Sequence, residues 1–241
     1  YNIGLFEKKC ELELICTKLI TNSSLFHPNE KIINSFHNPE RFKLINKEKI
    51  LLSTLDYELG KDTNYDFIKL DVQGAELPIL KGGVDTLDNI MGIEIEIEFK
   101  EIYKSQPLFS EINSFLEQNN FILIDFINLY RWEKDYQRNY GTIMFCDALY
   151  LKDPNYVVAK YFKDRNFDKI EKYLKILFIY NQLDLIKNLR DKLSNDDRVK
   201  LNIENIIRYI EKNFKNLFFL NKIFNKLGQL IFINGKSHWL S

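Results

Sequence analysis

Cysteine and histidine are scarce in this chain, and their positions exclude two kinds of stabilised domain. The 241 residues contain three cysteines, Cys10, Cys16 and Cys146, without any CxxC spacing, and three histidines that lie far apart. An odd number of scattered thiols predicts neither a disulfide framework nor a zinc site. We therefore expect free, reduced thiols, a cytoplasmic location and no bound metal.

Long apolar runs are also missing. The sequence has no stretch of about 18 uncharged apolar residues, so it predicts no transmembrane segment. Although 14% of the residues are aromatic, they do not recur with basic residues in a surface pattern, and we expect no nucleic-acid partner. The first residue is Tyr1 without a charged leader, which favours a sequence that begins partway through a longer protein.

The net charge is zero for the whole chain but not for its parts. Residues 1–150 contain 16 Lys+Arg and 24 Asp+Glu, a difference of −8, whereas residues 151–241 contain 18 and 10, a difference of +8. Solvated surfaces of opposite sign are the simple explanation, and two separate units are the alternative. The residue pattern also changes near Asp153. We predict an α/β domain over 1–152 and an all-helical extension over 153–241.

Apolar runs and alternations predict five strands in the first domain. They cover residues 10–17, 66–71, 93–99, 121–132 and 142–152, and residues 20–50 are expected to form a long connection. Apolar residues at helical spacing separate the second strand from the third and the third from the fourth. This order predicts an α/β sheet with parallel crossovers that ends in a hairpin.

The segment that follows residues 66–71 is the most informative. Asp71 ends the strand, Gly74 permits a sharp turn, and the apolar stripe from Leu77 to Leu87 predicts a helix. Gly82-Gly83 predicts a break in that helix. The free N–H groups at the start of the helix should point towards the carboxyl end of the sheet.

Carboxylates alternate with isoleucines along the next strand. Glu94, Glu96 and Glu98 share one face of it. Ligands bind beyond the carboxyl ends of the strands in an open α/β sheet, so Asp71 and Glu98 are expected to share a pocket. A solvated strand face would explain Glu94 equally well. The helix dipole would likewise explain Glu76 in the first turn of the helix.

Taken together, these segments resemble the FkbM family of methyltransferases. The resemblance rests on DFIKLDVQGAELPILKGG (66–83), preceded by STLD (53–56), and on IEIEFKEIYKSQPLFSEINSFLEQNNF (95–121) and DALYLK (147–152). NIGLFEK (2–8) and SSLFHPN (23–29) are similar to the family between its third and fourth strands. In this order the resemblance covers residues 1 to about 152.

The resemblance implies a Rossmann-like fold and methyl transfer from S-adenosylmethionine to an oxygen, commonly a hydroxyl of a sugar, glycan or polyketide. A positioned carboxylate can accelerate such a step about 10²–10⁴-fold by removing the hydroxyl proton. Asp71 is the first candidate for that base and Glu98 the second. Asp71, Gln73 and Gly74 are then expected to border the cofactor, and the acceptor is expected to contact four further residues, Glu76, Glu96, Tyr103 and Gln106.

The resemblance is incomplete, which leaves alternatives. Nothing in residues 1–241 resembles the family's glycine-rich turn, so the sequence predicts only the C-terminal half of the methyltransferase sheet. The chain could instead be a degenerate binding module with a basic helical tail, or a glycosyltransferase-type α/β enzyme, whose usual DxD motif is absent. A further version has Asp71 bind Mg²⁺ together with Glu96 or Glu98.

Apolar pairs recur every three to four residues after Asp153 and predict several amphipathic helices. The tail over residues 216–233 is apolar on one face and carries Lys222 and Lys226. We expect it to pack in a core or against a second subunit, which would make the protein a homo-oligomer. Contact with a membrane surface is the alternative.

Overall fold

The computed structural model describes residues 3–60, 65–135, 140–163 and 165–213. The chain divides into two compact units, 1–156 and 157–241. The described strands are Gly4–Leu5 (β1), Cys10–Thr17 (β2), Leu44–Ser53 (β3), Phe67–Leu70 (β4), Gly92–Glu98 (β5), Phe121–Trp132 (β6) and Thr142–Lys152 (β7). The α-helices up to residue 157 are Glu30–Ile33 (α1), Leu55–Leu59 (α2), Glu76–Lys81 (α3), Val84–Asn89 (α4), Phe109–Gln118 (α5) and Pro154–Val157 (α6).

A sheet of three strands, in the order β1-β3-β2, begins the first unit. The predicted strand over 10–17 is β2, which lies at an edge of this sheet. The prediction of one long connection over 20–50 was wrong, because this range contains most of β3, the helix α1 and two short 3₁₀ helices. Seven of the ten residues of β3 are exposed, three of them are charged, and Lys47 pairs with Glu13 of β2 at 2.9 Å. A strand with charged residues on an exposed face lacks the alternation of apolar and polar residues from which a strand is predicted.

A sheet of four strands, in the order β4-β5-β7-β6, carries most of the core. β4 and β5 are parallel, whereas β7 is antiparallel to β5 and to β6. The predicted parallel crossover and final hairpin are therefore confirmed. The described strands form two sheets rather than one, and the arrangement is mixed α/β. The single Rossmann-like sheet stays a prediction.

The predicted helix break at Gly82-Gly83 is confirmed, since α3 ends at Lys81 and α4 begins at Val84. A side chain at residue 82 would collide with the carbonyl oxygen of Phe6. Absence of a side chain there lets the N-terminal segment cross the break.

The core of the four-stranded sheet is built on β5. Ile93, Ile95 and Ile97 are fully buried and pack with residues of α3 and α5. The opposite face of β5 carries the three glutamates, and of these only Glu94 is partly exposed. A strand covered on both faces is normally apolar throughout, so its buried carboxylates need an explanation.

The second unit is helical over its described residues. Its elements are a π-helical turn (Val158–Phe162), Phe167–Ile179 (α7), Leu183–Asp191 (α8), Asn195–Lys200 (α9) and a helical stretch over 203–213. The predicted apolar tail at 216–233 lies outside the described residues. Within the described ranges, no helix combines the length and the apolar character needed to cross a membrane.

Candidate functional site

The turn after β4 brings its residues to the end of β5. Leu70 of β4 is in register with Ile95 of β5. Asp71, the first residue after β4, therefore lies level with Glu96 of β5. Gln73 and Gly74 then adopt positive φ angles of 56° and 100°. Such a conformation is unfavourable for a glutamine and suits glycine, which indicates that the surrounding contacts hold this turn in place.

Glu76, the first residue of α3, supplies those contacts with its side chain. Its carboxylate accepts hydrogen bonds from the backbone N–H of Val72 at 2.8 Å and of Gly74 at 2.9 Å. The side chain is 1% exposed, and this burial raises its pKa to about 7. Since two buried N–H groups depend on it, Glu76 maintains the shape of the turn.

Gln73 connects the turn to both acidic strand ends. Its Nε2 donates to Asp71 Oδ1 at 3.1 Å and to Glu96 Oε1 at 2.8 Å. Its Oε1 lies 2.9 Å from the hydroxyl of Tyr103, which is also 2.9 Å from the carbonyl oxygen of Asn22 and can donate to either. The Gln73 amide is therefore oriented by hydrogen bonds at both of its atoms.

These side chains border a cavity of about 180 Å³ beyond the carboxyl ends of β4 and β5. Asp71 is exposed, whereas Glu96 is 8% and Glu98 1% exposed. The complete lining is Thr21, Asn22, Arg41, Phe42, Asp71, Gln73, Glu96, Glu98, Ile102, Trp132 and Phe145. We refer to it as the acidic cavity.

The two buried glutamates prefer the protonated form. Burial, followed by the charges of Asp71 and Glu76, raises the pKa of Glu96 to about 8. Burial, followed by Glu76 and Glu96, raises the pKa of Glu98 well above its usual value. A carboxyl group that stays neutral at pH 7 can donate a hydrogen bond. Glu98 Oε2 has no partner among the described residues.

Aromatic residues and one arginine line the acidic cavity together with the glutamates. Trp132 and Phe42 have ring centroids 5.7 Å apart, and Trp132 and Phe145 are 6.3 Å apart. The Arg41 guanidinium lies 4.3 Å from the centre of the Trp132 ring, a cation–π distance. The lining therefore combines acidic, aromatic and cationic residues.

A larger cavity of about 590 Å³ lies on the other side of Phe42, between Ile33, Lys43 and Lys104. Its only acidic lining residues are Glu30 and Glu40, and no residue predicted from the strand ends reaches it. The acidic cavity is smaller, but it combines adjacent strand ends, unpartnered polar atoms and shifted pKa values. These features mark functional sites better than volume does.

Comparison with protein families decides what kind of domain holds this cavity. Residues 11–123 match the model described as the methyltransferase FkbM domain, just under half of the 241 residues. This segment is therefore similar to the FkbM family. Comparisons with curated proteins and with solved structures gave no match. The family assignment makes the matched segment a methyltransferase domain and confirms the resemblance read from the sequence.

Within the FkbM domain, the structure separates the predicted site residues into two groups. Asp71, Gln73, Glu96 and Glu98 line the acidic cavity together. The other four, Gly74, Glu76, Tyr103 and Gln106, are buried and outside the lining. For this second group, direct contact with cofactor or acceptor stays a prediction, and the contacts in the structure favour a positioning role.

Sequence reasoning missed the aromatic and cationic residues that line the acidic cavity. Arg41 and Phe42 fall in the range read as a connection, and Trp132 ends a strand with no other distinguishing feature. Asp147 was also missed. It is in register with Glu96 and accepts a hydrogen bond from Asn128 at 3.0 Å. Its place in DALYLK, a segment used for the resemblance, was the available signal.

The FkbM domain offers no metal site in its described parts. Throughout the described ranges, no group of three or more His, Cys, Asp or Glu side chains is arranged to hold a metal ion. The alternative in which Asp71 binds Mg²⁺ with Glu96 or Glu98 would also require the glutamate concerned to ionise, which its raised pKa opposes. The cysteines at 10, 16 and 146 are free thiols.

Proposed function

We propose that the FkbM domain transfers a methyl group from S-adenosylmethionine to a hydroxyl group of a small-molecule or glycan acceptor. The observation that carries this proposal is the exposed carboxylate of Asp71 at the rim of a cavity whose other acidic residues are buried. Proton removal from a hydroxyl requires a positioned base, and a carboxylate at the cavity rim can serve as one.

The residues of the acidic cavity fit the sulfonium end of the cofactor. A carboxylate at Asp71 would stabilise the positive charge, and the turn over Gln73 and Gly74 would border it. Gly74 lies where a side chain would come within 3.2 Å of Gln106, so the turn is narrow at this point. When bound, the cofactor supplies an activated methyl group. Its remaining parts would need a glycine-rich turn, which the sequence lacks.

Asp71 is the proposed general base. Water hydrates its charged form at the rim, while the bond from Gln73 Nε2 holds Oδ1 in place and leaves Oδ2 for the acceptor hydroxyl. Glu98, the second candidate, is a poor base because burial keeps it protonated. We propose that Glu98 instead donates a hydrogen bond to an acceptor oxygen and thereby orients the acceptor.

Tyr103 and Gln106 are proposed as positioning residues. The Tyr103 hydroxyl contacts Gln73 Oε1, and Gln106 Oε1 accepts the backbone N–H of Tyr103 at 2.5 Å. The pair therefore supports the amide that orients Asp71. Glu96, which accepts from the same amide, lines the cavity and is proposed to contact the acceptor.

Replacement of Asp71 by asparagine tests this function. We expect Asp71→Asn to lower methyl transfer about 10²–10⁴-fold, because an amide cannot accept the hydroxyl proton. The measurement is incorporation of label from methyl-labelled S-adenosylmethionine into a panel of sugars and glycans, with unfolding temperature as the stability readout. Asp125→Asn, on the exposed part of β6, is the matched control and should keep full activity.

Titration of the chain with S-adenosylmethionine separates catalysis from a binding module. Binding heat together with label transfer supports the enzyme. Transfer by Asp71→Asn at the wild-type rate would contradict the assignment of the base. Absence of both heat and transfer for the wild-type chain would contradict the proposed function.

A further inference from the structure

Arg41 is a cation without an anionic partner in the described part of the chain. Its guanidinium stacks over Trp132 at 4.3 Å and lies 5.1 Å from the centre of the Phe42 ring. Its Nε is buried and has no hydrogen-bond partner among the described residues. Arginine side chains that leave water are normally paired, because an unpaired buried cation is costly.

The carboxylates of the same cavity do not fill this role. Glu96 and Glu98 line it together with Arg41, but neither lies within ion-pair distance of the guanidinium. Burial lowers the pKa of Arg41, whereas the charges of Tyr103 and Glu40 raise it. The unpartnered Nε can therefore donate to an anionic group of a molecule that enters the cavity.

Asn22 supplies a second donor to the lining. Asn22 Nδ2 is also buried without a partner in the described residues, and Asn22 lines the cavity with Arg41. Two unsatisfied donors in the lining of one cavity suit the oxygens of a carboxylate or a phosphate. The stacking on Trp132 fixes the plane of the guanidinium and so favours planar, two-point binding of an oxyanion.

We propose that Arg41 binds an oxyanion of the acceptor, so that the FkbM domain selects hydroxy acids or phosphorylated sugars over neutral sugars. The inference rests on the proposed function, since it concerns the same cavity. The volume of about 180 Å³ corresponds to roughly six water molecules at about 30 Å³ each, which suits one small ring or acid. The anion lies at Arg41 and the hydroxyl at Asp71. Arg41 is thus a specificity residue.

Direct binding to the chain tests the proposal without any methyl transfer. The probes are galacturonate, galactose 6-phosphate and galactose, titrated calorimetrically at one ionic strength. We expect galacturonate or galactose 6-phosphate to bind about tenfold more tightly than galactose, because hydrogen bonds to charged groups are the stronger ones. The better of the two anionic probes identifies the oxyanion as carboxylate or phosphate. Equal affinity for all three sugars, or binding by none, overturns the proposal.

Two variants with the same loss of charge locate the effect. Arg41→Gln should reduce the affinity for the preferred anionic sugar to that for galactose, whereas Lys43→Gln should leave it unchanged. Lys43 is two residues away and lines only the larger cavity. Arg41→Lys, which keeps the charge, should recover part of the affinity and guards against misfolding of the glutamine variant. Anion binding that survives in both Arg41 variants overturns the proposal.

Failure of the proposed function would look different. If anionic sugars bind through Arg41 but no label is transferred from S-adenosylmethionine, the methyltransferase proposal fails and the oxyanion site stands. If label is transferred equally well to galactose and to both anionic sugars, the methyltransferase proposal is supported. The proposal that Arg41 selects anionic acceptors is then overturned.

Discussion

Glu96 is a buried acid whose protonation should make the stability of the first unit depend on pH. Its pKa is raised from 4.5 to about 8, chiefly by burial. Between these values the folded chain keeps a proton that the unfolded chain has lost. The free energy of unfolding is therefore largest below pH 4.5 as far as Glu96 is concerned, and this contribution is lost as the pH rises towards 8.

We expect Glu96→Gln to flatten this dependence, because glutamine stays neutral at every pH. The measurement is the urea midpoint at pH 5, 6, 7 and 8. Relative to the wild type, the variant should become more stable by roughly a few kcal/mol as the pH rises, since one pKa unit corresponds to about 1.4 kcal/mol. Glu94→Gln, at a partly exposed position on the same strand, should follow the wild-type slope. Parallel curves for wild type and Glu96→Gln would contradict the assignment.

Glu76 allows the helix-dipole role expected from the sequence to be separated from the turn-maintaining role that the structure indicates. If it only complements the helix dipole, Glu76→Ala should cost about 0.3–1 kcal/mol of unfolding free energy. If its bonds to Val72 and Gly74 maintain the turn, two buried N–H groups lose their partner and the cost should be about 2–4 kcal/mol. We expect the larger loss.

Glu58→Ala is the control for this measurement. Glu58 is an acid in the first turn of α2 and tests the dipole contribution alone. Chemical unfolding of both variants gives the comparison. Equal, small losses would mean that Glu76 acts through the dipole and not through the turn.

At the level of single residues, the sequence predicted those site residues that lie at the ends of apolar strands or in segments that resemble the family. Asp71, Glu96 and Glu98 follow from strand ends, and they meet at one cavity. Arg41 could not be found in this way, because its place in the cavity depends on a 3₁₀ helix, Pro39–Phe42. No regular spacing of apolar residues predicts this helix. Its partner Trp132 is about 90 positions further along the chain, and stacking over such a separation leaves no local pattern.

Secondary-structure elements were predicted well where one face is apolar and poorly where it is not. β5 and α5 have regular apolar spacing, and the predicted range of β5, 93–99, differs from the observed one by one residue at each end. β3 has six exposed residues at its start and was missed. It is stabilised by pairing with β2, including the Lys47–Glu13 and Lys49–Glu11 ion pairs, which depends on residues about 35 positions away.

The break between α3 and α4 is the element-level feature most open to test. We expect Gly82→Ala to destabilise the first unit by about 1–3 kcal/mol, because the added methyl group would collide with the Phe6 carbonyl and force the backbone to move. Lys81→Ala, at the exposed preceding position, should change the free energy of unfolding by less than about 0.5 kcal/mol. If Gly82→Ala is as stable as the wild type, the crossing of the N-terminal segment is not tight.

For the molecule as a whole, the division into units 1–156 and 157–241 agrees with the change of pattern near Asp153. The apolar clusters around β5 and around Trp132 consist of residues between 5 and 150, so the first unit has its own core. A unit with its own core is able to fold alone. We therefore propose that residues 1–156 form an independent domain.

Expression of residues 1–156 alone tests this independence. We expect one cooperative unfolding transition and well-dispersed amide signals in the NMR spectrum, because every described residue that lines the acidic cavity lies between 21 and 145. The isolated unit should also bind the preferred anionic sugar with the affinity of the full chain. As a control, Arg41→Gln within the isolated unit should lose that binding as it does in the full chain. If residues 1–156 remain unfolded while the full chain folds, residues 157–241 are needed to complete the domain, and the boundary does not separate independent units.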